Sequence, residues 1–128
     1  MIYLDSSVAL AHLLAEDRSP PDSIWQQPLV SSRLLEYEIW NRINARGLAP
    51  SHSQEMHALI GRVGFVELDP RVLTRALEPF PVAVRTLDAL HLASLDFLRQ
   101  RRQPVALLSY DERLLAAARA MAIPLAEA

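Results

Sequence analysis

Residues 104–121 read PVALLSYDERLLAAARAM, and the order of residue types in this stretch decides the fold. Pro104 to Ser109 is a short apolar run without helical spacing, the mark of a buried strand. Asp111 follows almost at once and suits a helix N-cap, and Glu112 to Met121 is rich in Ala, Leu and Arg, good helix formers. Strand, carboxylate, helix is the grammar of an α/β unit. The same grammar opens the chain: Ile2 to Leu4 is apolar, Asp5 ends the run, and Ser6 and Ser7 precede a helix-friendly segment from Val8 to Ala15.

Between these ends the pattern repeats. Pro20 and Pro21 mark a loop, Ile24 to Gln27 forms a short helix, and Leu29 and Val30 a brief strand running into Ser31 and Ser32. Those serines cap a helix from Arg33 to Arg46, with Leu34, Leu35, Ile39, Trp40 and Ile43 on its apolar side and Gly47 as its C′ residue. Ser51 and Gln54 have capping-box spacing and open a helix through Ile60, followed by a strand over Phe65 to Leu68. Asp69-Pro70 starts a helix through Leu77, closed by Pro79 and Pro81. Thr86 starts another over Leu87 to Arg101, with Leu87, Leu90, Ala93, Ser94 and Phe97 on one side. Ile123 to Leu125 supplies a last strand. Alternating strands and helices predict one α/β domain over residues 1–128, its sheet largely parallel with helices on both faces.

Composition removes many chemistries. At 128 residues and 51% hydrophobic content the chain can bury a core without staples. Cysteine is absent, which excludes thiol nucleophiles, disulfides and cysteine-based metal sites. All thirteen basic residues are arginine, so no lysine can form a Schiff base. The three glycines, Gly47, Gly61 and Gly64, make neither a GxGxxG nor a P-loop. No run reaches the ~18 apolar residues of a membrane span, and MIYLDSSVAL lacks the basic start of a signal peptide, so a soluble, cytoplasmic protein is expected. A net charge of −2 gives no global basic signature, although gathering four carboxylates into a metal site would leave the remainder net positive.

In open parallel sheets functional groups collect beyond the carboxyl ends of strands, where Asp5 and Asp111 both fall. Asp88 lies in the first turn of its helix, and Glu38 sits midway along a helix beside Ile39 and Trp40. Each has a structural alternative: Asp5 and Asp111 as caps, Asp88 as a helix-dipole partner, Glu38 as a solvated partner of Arg42 one turn on. Four oxygen donors from separate elements are what Mg²⁺ or Mn²⁺ requires, and such an ion offsets carboxylate repulsion, acidifies water and polarises a phosphodiester. His91, one turn after Asp88, reads as a satisfied structural histidine, and the remaining histidines show no HExxH spacing.

The words MIYLDSSVALAHLL, SSRLLEYEIWNRI, RTLDALHLASLDFL and LLSYDERLLAAARAMAIPL, in this order, resemble the PIN-domain ribonucleases, particularly the VapC-type toxins of toxin–antitoxin pairs. TLDALHLAS is the most specific of them. The resemblance implies a three-layer α/β/α PIN-like domain whose central, mostly parallel twisted sheet has about five strands. It implies a metal-dependent endoribonuclease in which Asp5, Glu38, Asp88 and Asp111 form the catalytic, metal-binding site for Mg²⁺ or Mn²⁺. Glu38 is preferred to Glu36 because it precedes the pattern IWNRI as the family's glutamate does. Ser7 would support Asp5, and Ser109, where relatives often carry Thr, keeps a hydroxyl for a carboxylate or phosphate. Asp96, about 80° round its helix from Asp88, stays outside that set.

The resemblance also implies an RNA substrate, a homodimer, and a cognate antitoxin whose segment fills an apolar groove; the space between the Arg33–Arg46 and Ser51–Ile60 helices is the candidate for it. Arg85, Arg99, Arg101 and Arg102 are the arginines assigned to RNA phosphates; Trp25, Trp40 and Phe80 suit either base stacking or core packing. Two alternatives stand beside this reading. One is a PIN-like interaction module without catalysis; the other is a receiver-like signalling domain, which the missing lysine and the helical glutamate disfavour.

Overall fold

A computed structural model describes residues 1–127, so the last residue of the expected 1–128 unit lies outside the described residues. The elements, in chain order, are β1 (Ile2–Leu4), α1 (Ser6–Leu13), a 3₁₀ helix (Asp22–Gln26), β2 (Leu29–Ser32), α2 (Leu34–Ala45), α3 (Ala49–Ile60), β3 (Val63–Val66), α4 (Pro70–Leu77), α5 (Thr86–Gln100), β4 (Ala106–Leu108) and α6 (Glu112–Ala120). The four strands form one parallel sheet in the order β3-β2-β1-β4. β1, first in sequence, is therefore central in space, with Ile2 paired to both Leu29 and Ala106.

Strand alternation explains the three layers. Ile2, Leu4, Leu29, Val63 and Leu108 point to one face, where they share a core with Val8 and Leu13 of α1, Leu35, Ile39 and Ile43 of α2, and Met56 and Leu59 of α3. Tyr3, Val30, Val66 and Leu107 point to the other, against Val72 of α4, Leu92 and Leu95 of α5, and Leu114 and Ala118 of α6. Strands covered on both faces read as unbroken apolar runs, which is how PVALLS and IYL read.

Four departures from the sequence reading have local causes. The expected strand at Ile123–Leu125 is a single bridge, Leu107 to Leu125, so the sheet has four strands rather than about five. Leu107 donates to the Pro124 carbonyl and accepts from Ala126, but proline has no N–H with which to lengthen the ladder. α3 begins at Ala49 with Pro50 in its first turn; the Ser51 hydroxyl donates back to the Leu48 carbonyl at 3.0 Å instead of capping. β3 starts at Val63 and not Phe65, because Val63 already pairs with Leu29. On α5 the buried face runs through Ala89, His91, Leu92, Ala93, Ser94, Leu95 and Leu98, since this helix packs on both α4 and the sheet, whereas Leu87 is 49% exposed.

Helix ends follow one device. Ala15, Gly47, Arg102 and Ala122 all take φ between 50° and 66°, each just past a helix. Each also shows the paired Schellman bonds, for example Gly47 N–H to the Asn44 carbonyl and Leu48 N–H to the Ile43 carbonyl, both 3.0 Å. Among the described residues no helix is long and apolar enough to cross a membrane.

Candidate active site

β1 and β4 are adjacent and parallel, so their carboxyl ends deliver Asp5 and the loop Ser109–Asp111 to the same sheet edge. Asp5 is 5% exposed and caps α1. Its Oδ2 accepts hydrogen bonds from the Ser7 hydroxyl at 2.6 Å, the Ser109 hydroxyl at 2.8 Å and the Ser7 backbone N–H at 3.3 Å. The two hydroxyls also accept, Ser7 from Tyr110 N–H and Ser109 from Asp111 N–H, each at 2.9 Å. Ser7 and Ser109 thus both support Asp5 while tying the two ends of the chain together.

Asp111 caps α6, its Oδ1 accepting from the N–H groups of Arg113 at 2.9 Å and Leu114 at 3.3 Å. Glu38 turns inward to His91, with Oε1 and Nε2 2.6 Å apart. Asp88 stands half-buried in the first turn of α5. Burial pushes its carboxyl above the ordinary carboxylate range, the negative charges of Asp111 and Asp5 push it the same way, and His91 and Arg85 oppose them. An open cleft of about 780 Å³ is lined by Glu38, Asp88 and Asp111 together with Arg42, Arg85 and Arg113.

His91 is buried, 1% exposed, and satisfied on both nitrogens, by Glu38 and by the Tyr3 hydroxyl at 2.8 Å. Burial disfavours its charged form, but the Glu38 carboxylate, together with the negative charges of Asp5 and Asp88, more than compensates and its pKa is raised. Its structural role agrees with the sequence reading; its direct bond to Glu38, and the part of Tyr3, were not legible there. Arg113 was also missed, though it lies two residues after Asp111 in the word YDER.

The arginines separate into two groups. Arg85 borders the acids, whereas Arg99, Arg101 and Arg102 close the far end of α5, about 20 Å away at 1.5 Å per residue. Arg99 donates to the Met121 carbonyl at 2.9 Å, and Arg101 stacks on Phe97. Asp96 is paired with Arg75 at 2.8 Å, and Glu36 with Arg33 at 3.3 Å, so neither joins the cleft. Trp25 is buried against His12 in the core, and Phe80 lies under Arg75.

Among the described residues no group of three His, Asp or Glu side chains is arranged, as it stands, to grip a metal ion. The donor set nevertheless fits a hard divalent cation. It offers carboxylates from separate elements, whose mutual repulsion is visible at Asp88. Asp5, Glu38 and Asp111 each have one oxygen in a hydrogen bond to the protein, an arrangement that orients the other.

Ribonuclease VapC35 of Mycobacterium tuberculosis (strain CDC 1551 / Oshkosh) is 30% identical over 129 residues, spanning 96% of this chain and 93% of that protein. The protein of the same name from strain ATCC 25618 / H37Rv matches to the same extent. Ribonuclease VapC47 of strain CDC 1551 / Oshkosh is 28% identical over 126 residues, spanning 93% and 90%. The PIN domain family matches residues 2–120, a span that includes every strand and helix described above, and the chain belongs to that family.

Proposed function

We propose that the protein is a metal-dependent endoribonuclease, the toxin component of a type II toxin–antitoxin pair, working in the cytoplasm as one PIN domain. The observation that carries this reading is the cleft in which Glu38, Asp88 and Asp111 face Arg42, Arg85 and Arg113, at the same sheet edge where two serines hold the buried Asp5. Asp5, Glu38, Asp88 and Asp111 would hold Mg²⁺ or Mn²⁺. When bound, such an ion supplies positive charge that offsets the carboxylates, acidifies water and polarises a phosphodiester. The arginines bind and orient the phosphates flanking the cut, for which guanidinium geometry is suited. Ser7 and Ser109 keep Asp5 aimed, and Asp111 stays fixed as the cap of α6.

The kinship with VapC ribonucleases supports an RNA substrate and a cognate antitoxin. α2 and α3 bury Ile39, Ile43, Met56 and Leu59 in a shared core, so an antitoxin segment has only their outer faces to dock on, such as the pocket beside Tyr37 and Trp40. A homodimer is supported by the apolar face around α4, where Leu73, Leu77 and Val82 are 42%, 88% and 43% exposed beside Phe80 and Val84.

The deciding experiment is cleavage of cellular RNA by the purified chain, free of any partner, with Mg²⁺, Mn²⁺ or EDTA, beside Asp5→Asn and Asp88→Asn. Metal-dependent cutting lost in both variants is expected. Equal cutting by folded Asp5→Asn would overturn the proposal, and silence from folded wild type across diverse RNAs would favour the non-catalytic module.

A further inference from the structure

A line of buried hydrogen bonds runs from the sheet to the cleft. The Ser32 backbone N–H on β2 donates to the Tyr3 hydroxyl oxygen on β1 at 3.2 Å, and that hydroxyl meets His91 Nδ1 on α5 at 2.8 Å. His91 Nε2 meets Glu38 Oε1 on α2 at 2.6 Å. Tyr3 is fully buried and His91 1% exposed, and the rings meet edge to face at 88°. Both imidazole nitrogens are therefore spent inside the protein, and His91 can reach neither water nor substrate. Its partner Glu38 does line the cleft. A carboxylate only accepts, so the hydrogen lies on Nε2.

We propose that Tyr3 and His91 are positioning residues for Glu38: His91, itself held by Tyr3, occupies Oε1 and holds the side chain so that Oε2 is presented to the cleft as a single-oxygen ligand. This rests on the reading of Glu38 as a metal ligand. The physical argument is one of freedom. A glutamate on a half-exposed helix face has three rotatable bonds and, one turn away, the alternative of Arg42; a short bond to a buried donor removes that freedom before an ion arrives. The donor is itself immobile because Nδ1 is tied to Tyr3, and Tyr3 to the β2 backbone. The sheet thereby fixes a group in the second turn of α2, the helix that leads directly out of β2.

The test is Mn²⁺ affinity of the full chain, measured by calorimetry, with thermal unfolding in EDTA as the check on folding. His91→Leu is expected to weaken Mn²⁺ binding about 10-fold, the lower end of what loss of a ligand's supporting partner costs. His91→Gln, whose amide N–H can stand in for Nε2–H, should recover much of that loss, and Tyr3→Phe should show a smaller one. The decisive arm is the double variant: once Glu38→Gln has been made, His91→Leu should cost nothing further. An undiminished effect of His91→Leu in the Glu38→Gln background, or no effect in either, overturns the proposal. Asp88→Asn separates the two readings. If it loses Mn²⁺ while His91→Leu does not, only the positioning role fails; if it binds as wild type, the metal site fails and the positioning role with it. Should His91→Leu not fold, Tyr3→Phe carries the same comparison.

Discussion

At the scale of single residues, the site is a set of acids restrained one oxygen at a time, and the restraints are themselves testable. Ser109 donates to Asp5 and accepts from Asp111 N–H, so Ser109→Ala loosens two acids with one deletion. RNA cleavage should fall by about 10- to 100-fold with the fold retained, read from initial rates and circular dichroism. Asp88 makes a prediction of opposite sign. A carboxyl whose pKa is raised by folding holds its proton more tightly in the folded than in the unfolded chain. Stability therefore drains away as pH climbs from the unfolded value of about 3.9 through the folded one, and the deficit persists at neutrality. Asp88→Asn should accordingly melt higher than wild type in EDTA at pH 7, converge with it in acid, and yet be inactive. A lower melting point for the variant at pH 7 would show that Asp88 does not suffer the repulsion assigned to it. Asp5, Asp88 and Asp111 were legible in the sequence because their positions at strand and helix ends have a physical meaning. His91 was legible as a satisfied structural histidine, but Tyr3 and the bond from His91 to Glu38 were not, because contacts spanning 88 and 53 residues leave no trace in local spacing.

Among the elements, helix termination offers the sharpest check. Four helices end on a left-handed residue, but only Gly47 is a glycine; Ala15, Arg102 and Ala122 adopt the same backbone against the preference of their Cβ. Ala122 is exposed, so Ala122→Gly should raise unfolding free energy by about 1 kcal/mol in urea titrations. Gly47→Ala should lower it by about the same amount, and with open space around the added methyl the cost is purely conformational. The elements themselves were largely readable. α4 begins where Asp69-Pro70 announces it, with Asp69 accepting from the N–H groups of Arg71 and Val72. β3 and the shrunken last strand were misplaced because strand limits here depend on which neighbour supplies a partner, as Leu29 does for Val63.

For the whole molecule, the face around α4 predicts association. Leu77 is the most exposed large apolar side chain at 88%, on a helix whose opposite side buries Val72. If that face joins two copies, Leu77→Glu should halve the mass seen by sedimentation equilibrium without unfolding the chain; an unchanged mass would move the interface elsewhere. The three-layer arrangement was legible from alternation alone, whereas the strand order, with β1 between β2 and β4, came only from the pairing.

That order carries a consequence for synthesis. Asp5 precedes by 104 residues Ser109, which supplies one of the two hydroxyls that steady it, and β1 lacks one of its two neighbours until β4 has been translated. At the 5 to 20 residues per second of typical translation, the growing chain spends several seconds with Asp5 made and Ser109 still to come. The acids at this sheet edge can therefore come together only after β4 and the start of α6 have been made.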